Sequence, residues 1–295
     1  MAISKSSRDV LSGTAGGITQ VLVGQPFDIV KVRLQTAVPG TYTGIGDCAG
    51  QIWKKYGFRG FYSGTLTPLL GVGACVSIQF GVVGAGKRLF QQKQDERYGK
   101  GTRLTNGQLY TSGALAGIAN SFVAGPVEHI RIRLQAQQER VFTGPLDCAR
   151  KITAQSGITG LFRGMTATII REGHGAGIYF LTYEYLVQRT LNGRPREELS
   201  NVMAMLFGAS AGVALWLSAY PIDVVKSRMQ TDAIIPSKRA YPSTLHCIRS
   251  IWQTAGLQGF LRGLTPTLVR APFANAATFV AYEMASRELN KYVVE

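Results

Sequence analysis

Charge is missing from long stretches of this chain. Residues 10–27 carry none, nor do the 27 residues between Arg59 and Lys87. The 24 between Arg103 and Glu128 and the 24 between Glu198 and Asp223 are equally bare. Runs of that length can span a bilayer core, which needs about 20 mostly apolar residues. Histidine is scarce, with only His129, His174 and His246. No metal-binding His pair, P-loop or nucleophile elbow occurs, so no enzyme chemistry, metal or cofactor is expected. The four cysteines, Cys48, Cys75, Cys148 and Cys247, show no metal-ligand spacing. The opening "MAISKSSRDV" has neither an apolar signal core nor an Arg-rich presequence, so any membrane address is expected within the spans themselves.

Acid is the scarcer sign. The net charge is +15, from 32 basic and 17 acidic residues in 295. A nucleic-acid surface would gather those bases into a patch, but here they are scattered, which argues against that partner. Mean hydropathy is only +0.07, too low for helices facing lipid all round. The spans must hide a polar face, as helices around a water-filled cavity would.

The chain is also three copies of one unit of about 97 residues. "PFDIVKVRLQ" at 26 recurs as "PVEHIRIRLQ" at 126 and "PIDVVKSRMQ" at 221. Each is followed by a second shared block: "DCAGQIWKKYGFRGFYSG", "DCARKITAQSGITGLFRG" and "HCIRSIWQTAGLQGFLRG". The repeats span approximately 8–100, 104–198 and 199–295. Within each, a long apolar helix ends in the Pro-acid-base knot, a short amphipathic helix follows, and a second long helix comes after a Gly turn. Gly13 and Gly17, Gly113 and Gly117, and Gly208 and Gly212 stand four apart in the first helices, a spacing that lets membrane helices approach closely. Cys48, Cys148 and Cys247 occupy equivalent places in separate repeats and are expected to be structural.

This triple P-x-[D/E]-x-x-[K/R]-x-[K/R] pattern resembles the mitochondrial carrier family over essentially the whole chain. The resemblance implies an all-α membrane protein: six transmembrane helices in three pseudo-threefold repeats, with three short amphipathic matrix helices. It implies one carrier domain over 1–295, in the mitochondrial inner membrane, working by alternating access as an antiporter and monomer. Pro26, Pro126 and Pro221 would bend three helix ends together, and each acid lies three positions from its base, near one helix face. By the family's arrangement Asp28 would meet Arg131, Glu128 would meet Lys226, and Asp223 would meet Lys31, forming a matrix gate. Gln35, Gln135 and Gln230 fall where the family places glutamine braces. On the cytoplasmic side Glu184 and Glu283 fit the acid position of that gate. Gly81, Gly84, Val187 and Ser286 break the pairing, and Lys87 and Arg287 are displaced, so a thin network and a resting preference for the cytoplasm-open state are expected. Tyr56, Ser156 and Ala255 stand where the family usually has an acid. Tyr42, Phe142 and the turns at Gly64, Gly164 and Gly263 resemble its cardiolipin sites, less so in the third repeat.

Seven residues beyond those turns lie Gly71, Arg171 and Arg270, about 10 Å into each span at 1.5 Å per residue. A charge there costs roughly 2.5–3.5 kcal/mol on insertion scales, so Arg171, Glu172 and Arg270 are expected to face a cavity and bind solute. A purely structural Arg171–Glu172 pair would leave Arg270 unexplained. Arginine suits a carboxylate and glutamate an ammonium, which together describe an amino acid or a carnitine-like zwitterion. "REGHGAGIYFLTYE" and "RAPFANAATFVAYE" resemble the branch moving basic amino acids, ornithine and carnitine. "LVGQPFD" and "GTLTPLLGVGACVSIQFG" resemble fungal members of that branch linked to glycine and glutamate. The first repeat offers Gly71, Cys75 and Gln79 at this level. Cys75 stands where ornithine-type carriers place an acid, which favours a smaller amino acid. His174 either lines the cavity or makes a helix contact. A nucleotide or coenzyme is the remaining alternative, disfavoured by Glu172.

Overall fold

The computed structural model describes residues 5–38, 40–99, 102–139, 141–192, 194–195 and 198–291, without the side chains of 5–7, 9–10, 70–74, 76, 201 and 279. Among the described residues all regular structure is helical. Six long helices are α1 (Lys5–Thr36), α3 (Leu66–Tyr98), α4 (Asn106–Ala136), α6 (Met165–Leu191), α7 (Asn201–Thr231) and α9 (Leu264–Asn290). Three shorter ones are α2 (Ile45–Tyr56), α5 (Pro145–Ser156) and α8 (Thr244–Gly259), one per repeat. Pro26, Pro126 and Pro221 lie inside α1, α4 and α7, as the repeat pattern requires.

The long helices form a ring with its polarity turned inward. Gln25, Gln35, Asn120, Glu172, Asp223 and Lys226 are buried, while Leu22, Leu115, Phe122, Leu206, Leu217, Phe273 and Val280 are exposed. A water-soluble domain does the reverse, and so broad an apolar exterior is a surface made for lipid or protein. The same distribution explains why hydropathy alone sees so little. One described helix, Val202–Thr231, is long and apolar enough to cross a membrane by length and composition.

The short helices seal one end of the ring. Each carries a Cys and an Ile four apart, hence on one helical face. Cys48 and Ile52 pack against Ile29 and Val30. Cys148 and Ile152 meet Leu134 and Phe142, and Cys247 and Ile251 meet Val224 and Val225. Each short helix thus clamps its own repeat's knot, and the structural expectation for these cysteines holds. The Gly turn into the next long helix needs a left-handed residue, with φ of 76° at Gly64, 77° at Gly164 and 83° at Gly263.

Below the knots an arginine from each repeat reaches the carboxyl end of another of the three knot helices α1, α4 and α7. Arg33 donates to the Gln137 carbonyl at 3.2 Å, Arg133 to that of Asp232 at 2.6 Å, and Arg228 to that of Gln35 at 3.1 Å. The last carbonyls of a helix lack partners and carry its negative end, so a cation there closes the ring at low cost. Where the family usually has an acid, Tyr56 and Ser156 donate instead to the carbonyls of Gln138 and Ile234 in the following repeat. Ala255 offers no such group.

The small-residue spacing acts unequally. On α4, a Cβ at Gly113 would meet the Ala176 carbonyl of α6 at 2.6 Å, and one at Gly117 would overlap that of Glu172. At Gly13, Gly17 and Gly212 the same addition meets nothing within 4 Å, and on α1 it is Gly16 that touches α9, through Thr278. The close approach expected of all three pairs is therefore made by the second alone, for Gly208 meets no more than the Tyr179 hydroxyl at 3.7 Å, an ordinary contact. Gly117→Ala should lower the melting temperature of the detergent-purified protein by an overpacking cost of about 1–3 kcal/mol. Gly13→Ala should hold or raise it, since Ala is the better helix former by roughly 0.5–1 kcal/mol; equal losses in both would refute this packing account.

Burial pushes the thiols of Cys48, Cys148 and Cys247 up to about 11. At pH 7.5 only about one in three thousand of each is then a thiolate. N-ethylmaleimide should therefore modify at most Cys75 in the folded protein, and all four on unfolding, as counted by intact mass.

Candidate functional site

At the level of the three prolines, six side chains from three repeats close the ring. Arg131 reaches Asp28 at 2.7 Å, Lys226 reaches Glu128 at 2.5 Å, and Lys31 reaches Asp223 at 2.7 Å. Each pair joins α1, α4 or α7 to another of the three, in the pairing that the family resemblance implies. Two glutamines reinforce it. Gln35 donates to Asp223 at 3.0 Å and to the Tyr220 hydroxyl at 3.0 Å. Gln25, which the sequence reading passed over, donates to the Ser63 carbonyl at 2.8 Å and accepts from Arg131 at 3.5 Å.

The other two expected braces do not brace. Gln135 is buried with its amide nitrogen unpartnered, and Gln230 donates to Thr168 at 3.4 Å, away from the pair above it. Of the three, Gln35 alone donates to an acid of the ring, because Tyr220 and Asp223 come from the neighbouring helix together.

Just inside the gate is a cavity of about 130 Å³, lined by all six gate residues with Arg171, Arg270, Trp216 and Gln135 among others. Both arginines turn toward gate acids. Arg270 meets Asp28 at 3.0 Å and Arg171 meets Asp223 at 3.5 Å. Arg171 also pairs with Glu172, which accepts from Asn120 at 3.3 Å and is buried outside the cavity lining. Glu172, expected from the sequence to share a cavity with Arg171 and Arg270, thus stands outside the lining of this one. It looks toward α4, where Gly117 leaves it room.

Two residues shape this cavity without an obvious sequence signal. Trp216 lies under Lys31, 4.3 Å from its ring centre, and under Arg171 at 5.3 Å, a cation–π contact with both. Gly24 makes the path for Arg270, whose Nε would stand 2.6 Å from any Cβ there. The comparison that would have found Gly24 is its place two before the proline, where the other repeats have Ala124 and Ala219.

The remaining expected positions scatter. His174 turns to the Tyr110 hydroxyl at 3.0 Å, so it makes the helix contact rather than lining the cavity. Cys75 and Gln79 are half-buried on α3 and outside this lining. Gly71 lies in α3, but its surroundings fall outside the described residues. At the far end Glu184 meets Lys87 at 2.6 Å. Displacement in sequence did not prevent that pair, since Lys87 lies one turn further along α3 and its long side chain covers the difference. Glu283 pairs with Arg287 on its own helix at 2.9 Å.

The family model for mitochondrial carrier proteins matches residues 4–94, 102–194 and 197–293, one match per repeat. The chain belongs to the mitochondrial carrier family. Among similar carriers is a glutamate/glycine mitochondrial carrier of Schizosaccharomyces pombe, 48% identical over 98% of this chain and 96% of its own. A mitochondrial glycine transporter of Saccharomyces cerevisiae is 46% identical, over 96% of this chain and 91% of its own. A mitochondrial basic amino acids transporter of Bos taurus is 40% identical, over 92% and 88%. The carrier is accordingly a mitochondrial membrane protein, and its apolar exterior and polar interior are those of a chain dissolved in lipid.

The carrier's gate makes a contrast between two equivalent glutamines. A hydrogen bond to a charged group contributes about 1.5–3 kcal/mol, and Gln35 makes one to Asp223 while the Gln135 amide makes none. Gln35→Met should lower the melting temperature of the solute-free carrier by several degrees. Gln135→Met should leave it unchanged or higher. Equal losses would show that both glutamines brace the gate.

Proposed function

We propose that this carrier moves a small α-amino acid across the mitochondrial inner membrane by alternating access through six transmembrane helices. The observation that carries this reading is that Arg171 and Arg270 reach one cavity at the gate and there bond the gate's own acids. A solute carboxylate offers a guanidinium the same bidentate partner that Asp28 and Asp223 offer. It therefore competes with them and leaves two of the three gate acids with fewer bonds. Solute can favour the crossing only through contacts that are tighter in the intermediate than in the open states. Exchange of carboxylate partners supplies such contacts without leaving an unpaired charge.

Charge balance narrows the solute. Five bases (Lys31, Arg131, Arg171, Lys226 and Arg270) and three acids (Asp28, Glu128 and Asp223) line the cavity, and Glu172, outside the lining, neutralises one further charge through Arg171. The site therefore holds one surplus positive charge, which suits glycine or glutamate better than a dibasic amino acid. Cys75 points the same way, and two relatives are named for glycine or glutamate.

Cardiolipin is the proposed lipid partner, at three crevices around the gate end. One, of about 560 Å³, runs from Tyr62–Leu66 to Phe142–Pro145; a second of about 290 Å³ runs from Arg262 to Tyr42–Ile45. The third, of about 520 Å³, lies between Phe162–Thr166 and Pro242–Leu245. Gly44 and Gly144 head α2 and α5 with no side-chain cap, leaving N–H groups for a phosphate. At α8 Ser243 caps the helix by accepting from the His246 N–H at 3.2 Å, so the third crevice has less to offer.

The test is uptake of labelled glycine by the purified carrier in liposomes made with and without cardiolipin. Glutamate should compete well, ornithine and ADP poorly. Arg171→Ala and Arg270→Ala should each lose at least tenfold in rate, about 1.4 kcal/mol of barrier, and cardiolipin should raise the wild-type rate. Wild-type rates in both variants, or no competition by any amino acid, would overturn the proposal.

A further inference from the structure

Threefold repetition gives the site an internal control. Two of the three equivalent positions hold an arginine, and each arginine bonds the gate acid of the adjoining odd-numbered long helix: Arg270 of α9 with Asp28 of α1, Arg171 of α6 with Asp223 of α7. The third position is Gly71 of α3, and the acid on the helix beside it is Glu128 of α4. No guanidinium can come from Gly71. Among the described residues Glu128 pairs with Lys226 alone, at 2.5 Å.

Exposure follows the same division. The Glu128 side chain keeps 24% of its surface open, against 17% for Asp28 and 3% for Asp223, which gathers Lys31, Arg171 and Gln35 around it. Glu128 lines the same cavity as Arg171 and Arg270. Glu172, the acid that the sequence alone assigns to an ammonium, is 8% open and already holds Arg171 and the Asn120 amide.

We propose that Glu128 is the acceptor for the solute's ammonium group, which takes the place that an arginine fills in the other two repeats. The inference rests on the amino-acid reading above and adds an orientation to it. The carboxylate lies toward Arg171 and Arg270, and the ammonium lies toward α4. An α-amino acid carries both groups on one carbon, which fits a cavity far smaller than the roughly 300–1,000 Å³ of drug-sized sites. A dibasic amino acid brings a second ammonium, whereas the cavity's other two acids, Asp28 and Asp223, each already hold at least two bases. Binding then acts on all three gate acids: the carboxylate draws arginines from Asp28 and Asp223, and the ammonium competes with Lys226 for Glu128.

The experiment compares each amino acid with the matching acid that lacks the ammonium: glycine against glycolate, and glutamate against 2-oxoglutarate. Affinity is read by thermal stabilisation of the purified protein, which needs no turnover, and by competition with labelled glycine in liposomes. The wild type should prefer the amino acid by at least tenfold. Glu128→Gln should erase most of that preference by weakening the amino acid alone. Glu172→Gln should weaken both competitors alike and keep the preference. Gly71→Arg should also erase the preference, because its guanidinium takes Glu128, while the carboxylate-only compounds still bind. Should Glu128→Gln not fold, Gly71→Arg decides by itself. A retained preference in Glu128→Gln or Gly71→Arg, or a lost one in Glu172→Gln alone, would overturn the assignment. Failure of the amino-acid reading itself is distinct: the wild type would then show no preference for either amino acid.

Discussion

The structure hangs on a ring of three ion pairs, each made between different repeats. The acid and base of one repeat stand three positions apart, but they pair more closely across repeats. Lys226 is 2.5 Å from Glu128 and 3.9 Å from Asp223 of its own repeat, so the ring needs all three repeats. That arrangement suits a gate better than apolar packing would. Breaking one partner from a buried pair costs about 3–5 kcal/mol, yet the intact pair adds little net stability because both charges gave up water to form it. A charged newcomer able to replace one partner therefore meets a small net difference. Lys31, Arg131 and Lys226 can be held firmly in the absence of solute and released by exchange in its presence.

What must stay fixed while the ring opens is carried elsewhere. The short helices bury Cys48, Cys148 and Cys247 against their own repeats, and this packing involves no exchangeable charge. The long helices divide unequally: α3, α4, α6 and α7 pack in sequence along their lengths, as do α9 and α1, while α1 touches α3 and α7 touches α9 only lightly. The Gly113 and Gly117 contacts, absent at their counterparts, lie inside the first group. The two light seams are the natural planes for helices to part, and Arg33 and Arg228 span the gate end with bonds to main-chain carbonyls.

Much of this was legible in the sequence, for a definable reason. Repetition fixes which residues are equivalent and that a ring of three can pair acids with bases of other repeats. Which base each of Asp28, Glu128 and Asp223 meets came from the family resemblance, since equivalence alone allows either direction around the ring. Repetition fails where the copies differ. Gln35 has Tyr220 beside its acid, but the equivalent residues lack that partner arrangement, so three like glutamines behave in three ways. The direction of a side chain is likewise invisible in spacing alone. Arg171 and Glu172 are neighbours at one depth, yet one faces the axis and the other α4. Trp216 and Gly24 gave no signal because neither is charged, and their effect is on the shape that charged neighbours take.

On the proposed reading, selectivity resides in the departures from symmetry. A perfect threefold site would present three identical faces, suited to a solute with three identical groups or to none. Arg171 and Arg270 without a third arginine turn the ring into two anion-binding faces and one open acid. The polarity of an α-amino acid matches that division, and the surplus positive charge fits a second carboxylate better than a second ammonium. In that proposal the scaffold's symmetry provides closure, and the one position without an arginine, Gly71, gives the closed ring a direction in which solute would lie.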